Sequence, residues 1–397
     1  MSLEPLTLTD ILIATVPLML IFATLFAFTT WLERKALARI QNRIGPNKVG
    51  IPCTRIGLFG LGQPAADGIK MIFKEDIVPR GADRLFHLLA PILALIPAML
   101  VLCFLPLNFP WIKNIQGLVK PFMLDGAVIF FFAITGLNTL AVFMAGWASR
   151  NKYSLLGGIR AVAQMVSYEI PLVLSAVIVV MMVGSLNAAE IVKEQADEYW
   201  FILSPWGFTA FVIFFIAALA ETNRSPFDLP EAESEIIAGY FTEYSGFKFA
   251  LFFLGEYIAM FAISGLAVTL FLGGGDGPGV TMNPEDQGLA TEAFPGLSAV
   301  WFLAKIFALI AVMIWLRGTL PRLRVDQLMG FAWKFMLPLS ILNILVAGFA
   351  WHAEQLDNTF ITVITWVISL AILYGAASGL NQLNRGKVRP REYKYAE

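Results

Sequence analysis

The stretch 126–147, GAVIFFFAITGLNTLAVFMAGW, has 22 residues and no charged side chain. A helix needs about 20 consecutive apolar residues to cross the hydrocarbon core of a bilayer, which is about 30 Å thick. The whole chain agrees with this stretch, because 58% of its 397 residues are hydrophobic and only 14% are charged. A soluble domain is only about 45 to 50% apolar. The sequence therefore excludes a water-soluble enzyme and predicts an all-α polytopic integral membrane protein.

Apolar runs of similar length recur along the chain and predict about nine transmembrane helices. Residues 1–10 contain no Lys or Arg, so the first run is interpreted as a retained helix and not as a cleaved signal peptide. We expect one transmembrane domain over residues 1–397. The predicted spans are 11–31, 85–106, 126–147, 161–185, 200–220, 247–272, 294–316, 331–351 and 360–378.

The distribution of basic residues predicts the orientation of these helices. Of the 28 Lys and Arg residues, 24 lie in or at the edges of the loops on one side, and 3 lie on the other side. Loops rich in Lys and Arg stay on the cytoplasmic side. We therefore expect the N-terminus outside, the C-terminus inside and an odd number of spans. The long loop 32–84 and the basic tail 379–397 are then cytoplasmic.

The first cytoplasmic loop, 32–84, is too long for a simple connection. After Pro64 it carries apolar residues at helical spacing with charged residues between them, which is typical of an amphipathic helix at the membrane surface with Pro near its start. The apolar residues are Ala65, Ile69, Ile72 and Phe73, and the charged residues are Asp67, Lys70 and Lys74.

The loop 221–247 is acidic, although a cytoplasmic loop is normally basic. Its only basic residue before the next span is Arg224, and its acidic residues are Glu221, Asp228, Glu231, Glu233, Glu235 and Glu243. The unusual acidity of this loop therefore indicates a functional role. The outer loop 273–279 contains five glycines, and we expect it to form a flexible turn.

Four ionisable residues lie within or at the ends of apolar spans: Glu169, Glu221, Glu256 and Lys305. A charge near the centre of a membrane helix costs roughly 2.5 to 3.5 kcal/mol, so these groups must pair, take up a proton or face water. One interpretation is a proton path, because a carboxylate between burial and a nearby cation can change its protonation. The other interpretation is structural pairing between helices. Glu256 lies near the end of its span and also suits the headgroup region.

Cysteine and histidine are too few to suggest a metal site. The two cysteines, Cys53 and Cys103, and the two histidines, His87 and His352, are far apart in the sequence. No spacing typical of zinc, iron-sulfur or haem ligation can be written with them. We therefore expect no metal bound by this chain. Both histidines are predicted to lie at the membrane interface.

Five long blocks carry a resemblance to a known family. The chain resembles the family that comprises the H subunit of bacterial NADH-quinone oxidoreductase and the corresponding subunit of mitochondrial complex I. The resemblance covers most of the chain. The blocks are WLERKALARIQNRIGPNKVG from Trp31, GLGQPAADGIKMIFKED from Gly60, LLGGIRAVAQMVSYEIPL from Leu155, LAETNRSPFDLPEAESEIIAGYFTEYSGFKFALFFLGEY from Leu219 and WLRGTLPRLRVDQLMGFAWKFMLPL from Trp315.

The resemblance implies a membrane subunit on which a peripheral redox arm docks and through which quinone enters. Quinone is then the substrate, and FMN and iron-sulfur clusters belong to partner subunits, with no cofactor bound by this chain. A bacterial inner (plasma) membrane is the expected location. Other complex I subunits and membrane lipids are the expected partners, and no nucleic acid is expected.

The resemblance also assigns site residues, none of which is catalytic in the strict sense. The residues matching the quinone site and its entrance are Glu33, Arg34, Lys35, Arg43, Asp67, Arg224, Asp228, Glu231, Glu233 and Glu235. Glu169, Glu221 and Glu256 match the proton path, and Lys305 is included with them because of its place in a span. Arg317, Arg322 and Arg324 are expected to dock a partner or lipid headgroups. Shorter family members lack the predicted ninth span and the basic tail. We expect the ninth span to be a packing helix that faces lipid.

Two alternatives stay open. The chain also suits the homologous membrane anchor of a membrane-bound hydrogenase or of a quinone reductase fed by another donor, although the SPFDLPEAESE loop favours a quinone-linked member. A secondary transporter would use the buried Glu and Lys residues for ion coupling, but it predicts an inverted repeat that the sequence does not display.

Overall fold

The computed structural model describes residues 8–50, 59–102, 105, 125–229, 238–282, 290–292, 296–354 and 359–384. Within these residues the regular structure is α-helical apart from short 3₁₀ and π segments and one β-hairpin, so the expected helical architecture is confirmed. The helices are α1 Leu8–Ile40, α2 Gln63–Phe73, α3 Arg84–Leu102, α4 Ala127–Ala148, α5 Lys152–Val183, α6 Ala188–Asp197, α7 Pro205–Glu221, α8 Gly246–Phe271, α9 Leu297–Thr319, α10 Val325–Phe331, α11 Leu337–Glu354 and α12 Thr359–Asn384. The hairpin pairs β1 Val280–Met282 with β2 Ala290–Glu292 in antiparallel register.

Every predicted span overlaps a helix. Six helical segments among the described residues are long and apolar enough to cross a membrane, namely α3, α4, α5, α8, α9 and the stretch Val325–Ala353. The helix α7 and the segment Val363–Gly379 of α12 are apolar but shorter. The chain is thus a polytopic membrane protein by helix length and composition, while the count of nine spans and their orientation stay predictions.

The helix α5 begins nine residues before the predicted span. Asn151 precedes its first residue in an extended conformation, and the Asn151 side chain accepts a hydrogen bond of 3.0 Å from the backbone N–H of Tyr153. Such a cap satisfies a donor that the first helical turn leaves unpaired. At the other end Gly184 takes a left-handed conformation with φ +73°, which glycine adopts without steric cost.

The amphipathic helix of the first loop is confirmed as α2. Pro64 lies in its first turn, where a missing N–H costs nothing, and none of its residues is buried. Ile69, Ile72 and Phe73 are 57%, 63% and 84% exposed. The apolar face of α2 therefore lacks cover within the described chain.

The helix α8 forms the centre of the helical bundle. Its sequence is apolar on all sides, which is the pattern of a helix surrounded by other helices. It packs against α3, α7 and α9, and most of its residues are buried. Phe271 of α8 meets Phe214 of α7 edge to face, with ring centroids 5.6 Å apart. Such aromatic pairs add about 0.5 to 1.5 kcal/mol to the burial of their area.

The outer loop 273–279 is packed around its glycines, while the expected flexibility of this turn stays a prediction. Gly273, Gly274 and Gly275 are buried. A Cβ on Gly273 would lie 2.7 Å from Nε1 of Trp200, and one on Gly274 would lie 2.7 Å from Cγ2 of Val192. The glycines are present because neighbouring side chains leave no room for a larger residue.

A tertiary contact that the sequence did not predict covers His87, while its expected position at the membrane interface stays a prediction. Its side chain is fully buried and stacks on Tyr244, with ring centroids 4.1 Å apart and an interplanar angle of 7°. The sequence placed His87 near the start of a span, but the segment after the acidic loop folds over it. The burial of His87 was not predictable because it comes from a tertiary contact at the end of the helix.

A close approach at Gly157 gives the first testable prediction. A Cβ added to Gly157 of α5 would lie 2.6 Å from Cα of Gly239, in the 3₁₀ turn Gly239–Phe241. The atoms nearest to this Cβ belong to the backbone of Gly239, so Gly157→Ala must push the turn away from α5. We expect the free energy of unfolding to fall by about 1 to 3 kcal/mol. The measurement is the amount and thermal midpoint of the membrane-extracted protein. Gly375→Ala on α12 is the control, since a Cβ there meets no atom within 4 Å. Equal behaviour of the two variants would contradict the prediction.

Candidate functional site

A buried cluster of charged side chains joins three parts of the chain at the predicted cytoplasmic ends of the helices. Glu33 of α1 accepts hydrogen bonds from Arg224, which follows α7, and from Arg317 in the last turn of α9. The Nη1 atom of Arg224 lies 3.4 Å from both carboxylate oxygens of Glu33. The hydroxyl of Tyr257 donates to the same carboxylate at 2.6 Å. These four residues are called the Glu33 cluster below.

Burial makes the Glu33 cluster electrostatically strong. The side chains of Glu33 and Arg224 are only 5% and 8% exposed. Glu33 lies beyond the first predicted span; burial by itself raises the pKa of its carboxyl, but Arg224, Arg317 and the Tyr257 hydroxyl together lower that pKa below its ordinary value. Glu33 is therefore ionised at neutral pH. Its carboxylate faces the guanidinium groups of Arg224 and Arg317, and Glu256 also acts electrostatically on Arg224.

Arg224 keeps hydrogen-bonding capacity within this cluster. Its guanidinium carbon lies 4.1 Å from the centre of the Tyr257 ring, which is a cation–π contact. The Nε and Nη2 atoms are buried and have no hydrogen-bond partner among the described residues. Buried donors are normally satisfied. Within the described part of the chain, these two donors are therefore open to a further acceptor.

Gln164 of α5 holds the start of the acidic loop against the helices. Its buried side-chain nitrogen donates to the carbonyl oxygens of Ala220 at 2.8 Å and Phe227 at 2.7 Å. A little further along, the nearly fully buried carboxylate of Asp228 accepts a hydrogen bond of 3.0 Å from Arg322. These contacts position the segment from Glu221 to Asp228 as one structured piece beside the Glu33 cluster.

A second group of carboxylates extends from this segment into the helices. Glu221, the last residue of α7, is 6% exposed, and its Oε2 atom has no hydrogen-bond partner among the described residues. It lines a narrow cavity together with Thr135 and Asn138 of α4. The space open to water centres in this cavity is about 20 Å³, which is enough for a water molecule.

Glu169 of α5 faces the same turn of α4. Its Oε1 atom would lie 3.4 Å from a Cβ placed on Gly136, between the two polar residues of the cavity. Glu169 and Glu221 therefore approach one short, polar stretch of α4 from two different helices. Glu256 of α8 accepts a hydrogen bond of 3.1 Å from the hydroxyl of Tyr240 and is near enough to Arg224 to interact with it electrostatically.

Lys305 is not brought together with these carboxylates. Its ammonium donates to the carbonyl oxygens of Leu272, Gly274 and Asp276 at 2.6, 3.1 and 2.7 Å. It also lies 4.2 Å from the centre of the Trp200 ring. These contacts place Lys305 at the opposite end of α9 from Arg317, where it fastens the outer loop. A role in the proton path stays a prediction for this residue.

The residues predicted around the quinone entrance divide into two groups: those in or beside the Glu33 cluster, described above, and those that hold the first loop. Arg34 pairs with Asp67 of α2 at 2.6 Å, and Gln63 donates to the same carboxylate at 3.0 Å. Lys35 donates to the carbonyl of Pro46 at 3.0 Å. Arg43 contacts Gln41 nearby in the chain. These contacts fold the first loop against α1, with Arg34 and Arg43 exposed and Lys35 and Asp67 half-buried.

Several predicted residues lie outside the described part of the chain. They are Glu231, Glu233 and Glu235 of the acidic loop and Arg385, Lys387, Arg389, Arg391 and Lys394 of the tail. Among the described residues no group of three His, Cys, Asp or Glu side chains could hold a metal ion.

Sequence analysis missed two members of the Glu33 cluster. Tyr257 was not singled out, although it directly follows Glu256 in the sequence. Arg317 and Arg322 were expected to dock a partner or lipids, but they pair with Glu33 and Asp228 inside the chain. The only sequence signal for this is charge balance, because buried acids at the ends of helices need cations nearby.

Comparisons with known proteins were made on the whole sequence. Residues 13–348 match the family described as NADH dehydrogenase. The chain is similar to the H subunit of NADH-quinone oxidoreductase from Geobacillus kaustophilus, with 46% identity over 83% of this chain and 91% of the relative. It is similar to the protein of the same name from Dehalococcoides mccartyi, with 46% identity over 87% of each chain. The protein of that name from Bacillus cytotoxicus is 46% identical over 83% of this chain and 91% of the relative.

Proposed function

The chain belongs to the NADH dehydrogenase family, and from this premise we propose that it builds a quinone chamber in an NADH-quinone oxidoreductase and couples quinone reduction to proton transfer. It acts as one membrane subunit of an oxidoreductase complex and needs the other subunits for activity. The neighbours are peripheral subunits that deliver electrons and further subunits of the membrane arm. The host membrane is the bacterial inner membrane, with the N-terminus outside and the C-terminus inside.

One observation carries this proposal: a buried carboxylate, with one oxygen unpartnered among the described residues, lies three residues before the arginine of the Glu33 cluster. Glu221 and Arg224 occupy one short segment, which Gln164 holds in place at Ala220 and Phe227. A change of charge near Arg224 therefore changes the electrostatic environment of the Glu221 carboxyl group without a large movement of the chain. In a medium of low dielectric constant such an interaction is stronger than in water.

The Glu33 cluster is suited to act on the quinone headgroup or on the acids that face it. Reduction of a quinone to a quinol takes two electrons and two protons. Electrons come from partner subunits, and the guanidinium groups of Arg224 and Arg317 would favour a headgroup that becomes transiently negative. The Arg224 donors that lack a partner among the described residues support this role, since a carbonyl oxygen of the headgroup or a loop carboxylate would satisfy them.

The carboxylates are then assigned to the proton path into the membrane arm. Protons taken up on quinone reduction alter the charge balance at the acidic loop, and Glu221 responds by exchanging a proton or a partner. The polar stretch of α4 at Thr135 and Asn138 offers room for a water between Glu221 and the side of α4 that Glu169 approaches. Glu256 and Tyr240 form a further polar pair on the way out of the acidic loop.

Cofactors are assigned to partner subunits in this proposal. FMN and iron-sulfur clusters would be held by the peripheral arm, and this chain contributes protein side chains and a passage for the quinone. Arg34, Lys35, Arg43 and Asp67 would shape the passage from the first loop. The exposed apolar face of α2 supports this, because an isoprenoid tail needs an apolar surface at the membrane boundary.

Copurification tests the proposed function. The tagged full-length chain is extracted gently, and the copurified assembly is assayed for inhibitor-sensitive NADH:quinone reduction, flavin and iron. We expect all three to copurify in a fixed ratio to the chain. Nickel with hydrogen turnover would move the chain to the hydrogenase-type alternative, and purification of the chain alone would contradict the proposal.

A further inference from the structure

Four basic side chains lie where α3 and α5 begin and α4 ends. Arg84 is the first residue of α3, and Lys152 is the first residue of α5. The backbone N–H of Asp83 donates a hydrogen bond of 3.1 Å to the carbonyl oxygen of Ala148, so the start of α3 contacts the end of α4. The four residues, called the arginine patch below, are Arg80, Arg84, Arg150 and Lys152.

The backbone at Arg150 is in a conformation that favours glycine. Its φ is +48°, in the left-handed region that other L-residues rarely adopt. The Arg150 side chain extends to the neighbouring segment, because its Cδ atom lies 4.0 Å from the position of a Cβ added to Gly81. Gly81 directly follows Arg80. The chain thus has an arginine where glycine would be less strained, which favours a role for the guanidinium group.

The arginine patch has an excess of positive charge. The acids that adjoin it are Asp83 and Glu243, and Glu243 accepts a hydrogen bond of 2.7 Å from the side chain of Asn151. Lys248 and Asp76, close by, neutralise one another at 2.8 Å. Four cations against the two adjoining carboxylates leave two positive charges. No carboxylate of the described residues forms an ion pair with the three arginines of the patch, all of which are exposed.

The arginine patch lies at the level of the predicted cytoplasmic membrane surface. It is formed at the ends of α3, α4 and α5, which are each long and apolar enough to cross a membrane. Trp147, in the last turn of α4, is 52% exposed and meets the ring of Phe86 edge to face, with centroids 5.7 Å apart. Exposed Trp side chains collect at the boundary between hydrocarbon and headgroups. We therefore expect the guanidinium groups at the depth of the lipid phosphates.

An exposed apolar stripe on α4 continues from the arginine patch toward the bilayer centre. Its residues recur at helical spacing and are Leu137, Leu140, Phe143 and Trp147. At 1.5 Å per residue the stripe is about 15 Å long, roughly the hydrocarbon thickness of one leaflet. An acyl chain can lie along the stripe while its headgroup occupies the patch. An acidic peptide on the patch would leave the stripe uncovered, so these features together favour a lipid.

We propose that the arginine patch binds the headgroup of an anionic phospholipid of the cytoplasmic leaflet, of the phosphatidylglycerol class. The phosphate accepts hydrogen bonds from the guanidinium groups of Arg84 and Arg150, and Arg80 and Lys152 add to the attraction. A planar guanidinium can donate two parallel hydrogen bonds to a phosphate. Basic pockets between helices on the cytoplasmic side are typical sites for anionic headgroups. This assignment does not rest on the proposed function.

Net charge decides between this lipid and its competitors. Phosphatidylglycerol has a phosphate and no cation, so it compensates one of the two excess positive charges of the patch. Phosphatidylcholine and phosphatidylethanolamine carry a cation beside the phosphate, and the patch repels that cation. The preference for an anionic lipid should therefore weaken as the salt concentration rises.

Lipid retention tests the proposal on the assembly that copurifies with the full-length chain. The assembly is placed in nanodiscs with equal amounts of phosphatidylglycerol and phosphatidylcholine, and retained lipids are counted by native mass spectrometry. We expect wild type to retain phosphatidylglycerol preferentially. Arg84→Gln and Arg150→Gly should each lower the ratio of phosphatidylglycerol to phosphatidylcholine by about fivefold, the effect of one basic side chain near anionic lipid. Arg150→Gly suits the left-handed backbone, so the fold is retained.

Two controls and a second measurement keep the test decisive. Arg150→Lys keeps the charge and should lower the lipid ratio less than Arg150→Gly does. Lys48→Gln removes an exposed cation from the loop after α1 and should leave the ratio unchanged. In a protein otherwise wild type, a benzophenone side chain placed at Phe143 should cross-link to lipid. Equal retention of the two lipids by wild type, a ratio that Arg84→Gln and Arg150→Gly leave unaltered, or cross-linking to a protein chain would each overturn the proposal.

Discussion

Glu221→Gln is expected to lower the inhibitor-sensitive NADH:quinone rate of the assembled complex by about tenfold or more, because proton-transferring side chains commonly contribute 10²- to 10⁴-fold. The amide keeps the size and polarity of the carboxyl group but cannot exchange a proton. Glu221 is buried at the end of α7 with a free oxygen among the described residues, so another side chain cannot easily replace it. The rate and the proton-to-electron ratio are measured on membrane vesicles with equal amounts of assembled complex.

Glu169→Gln should give the same defect if both acids belong to one path. Contributions from groups that act in series are not additive, so the double variant should be no slower than the slower single variant. Glu194→Gln on α6 is the control, because Glu194 is exposed and far along the chain from the acidic loop. Wild-type rates and proton stoichiometry in both single variants would remove Glu221 and Glu169 from the proposed proton path.

Glu33→Gln is expected to reduce the amount of assembled complex severely. The carboxylate is the shared partner of Arg224, Arg317 and Tyr257, and its loss leaves a buried guanidinium without a counterion. Breaking a buried ion pair by removing one partner typically costs about 3 to 5 kcal/mol. The measurements are the quantity of complex in native gels and its thermal midpoint in detergent.

The surface pair between Arg34 and Asp67 supplies a matched control for this prediction. These side chains are 51% and 34% exposed, and such pairs contribute about 0 to 1 kcal/mol. Asp67→Asn should therefore leave assembly almost intact. A double variant, Glu33→Gln with Arg224→Met, should recover part of the assembly, since the buried charge is removed with its partner. Normal assembly and an unchanged thermal midpoint in Glu33→Gln would refute the structural importance of the cluster.

Hydropathy was sufficient to predict the helices because each span must satisfy its own backbone hydrogen bonds in lipid. The apolar run around 126–147 corresponds to α4 within one residue at each end. The amphipathic α2 was predictable for a similar reason, since its periodicity and Pro64 are local features. Helix ends were less predictable where a cap added polar residues, as at Asn151 before α5.

Residue types also indicated which side chains could carry chemistry, but not how those side chains are grouped. The intramembrane acids Glu169, Glu221 and Glu256 stood out because charge is expensive in apolar surroundings, whereas Glu33 and Arg224 were assigned to the site by the family resemblance. Lys305 stood out for the same reason, yet three carbonyl oxygens of the outer loop surround its ammonium. The free-energy cost of placing a charge in apolar surroundings can be offset by a carboxylate, a carbonyl oxygen or water. The sequence does not distinguish among these partners.

The sequence by itself determined the helical membrane class, the amphipathic α2, the acidic loop and the family, because these depend on local composition and on residues in fixed order. The tertiary structure alone decided that Glu33 meets Arg224 across 191 positions of the chain and Arg317 across 284. It also decided that Tyr257 joins them and that His87 is buried under Tyr244. The physical reason is that such partners are chosen by helix packing, which brings together residues whose separation in the chain carries no periodic signal.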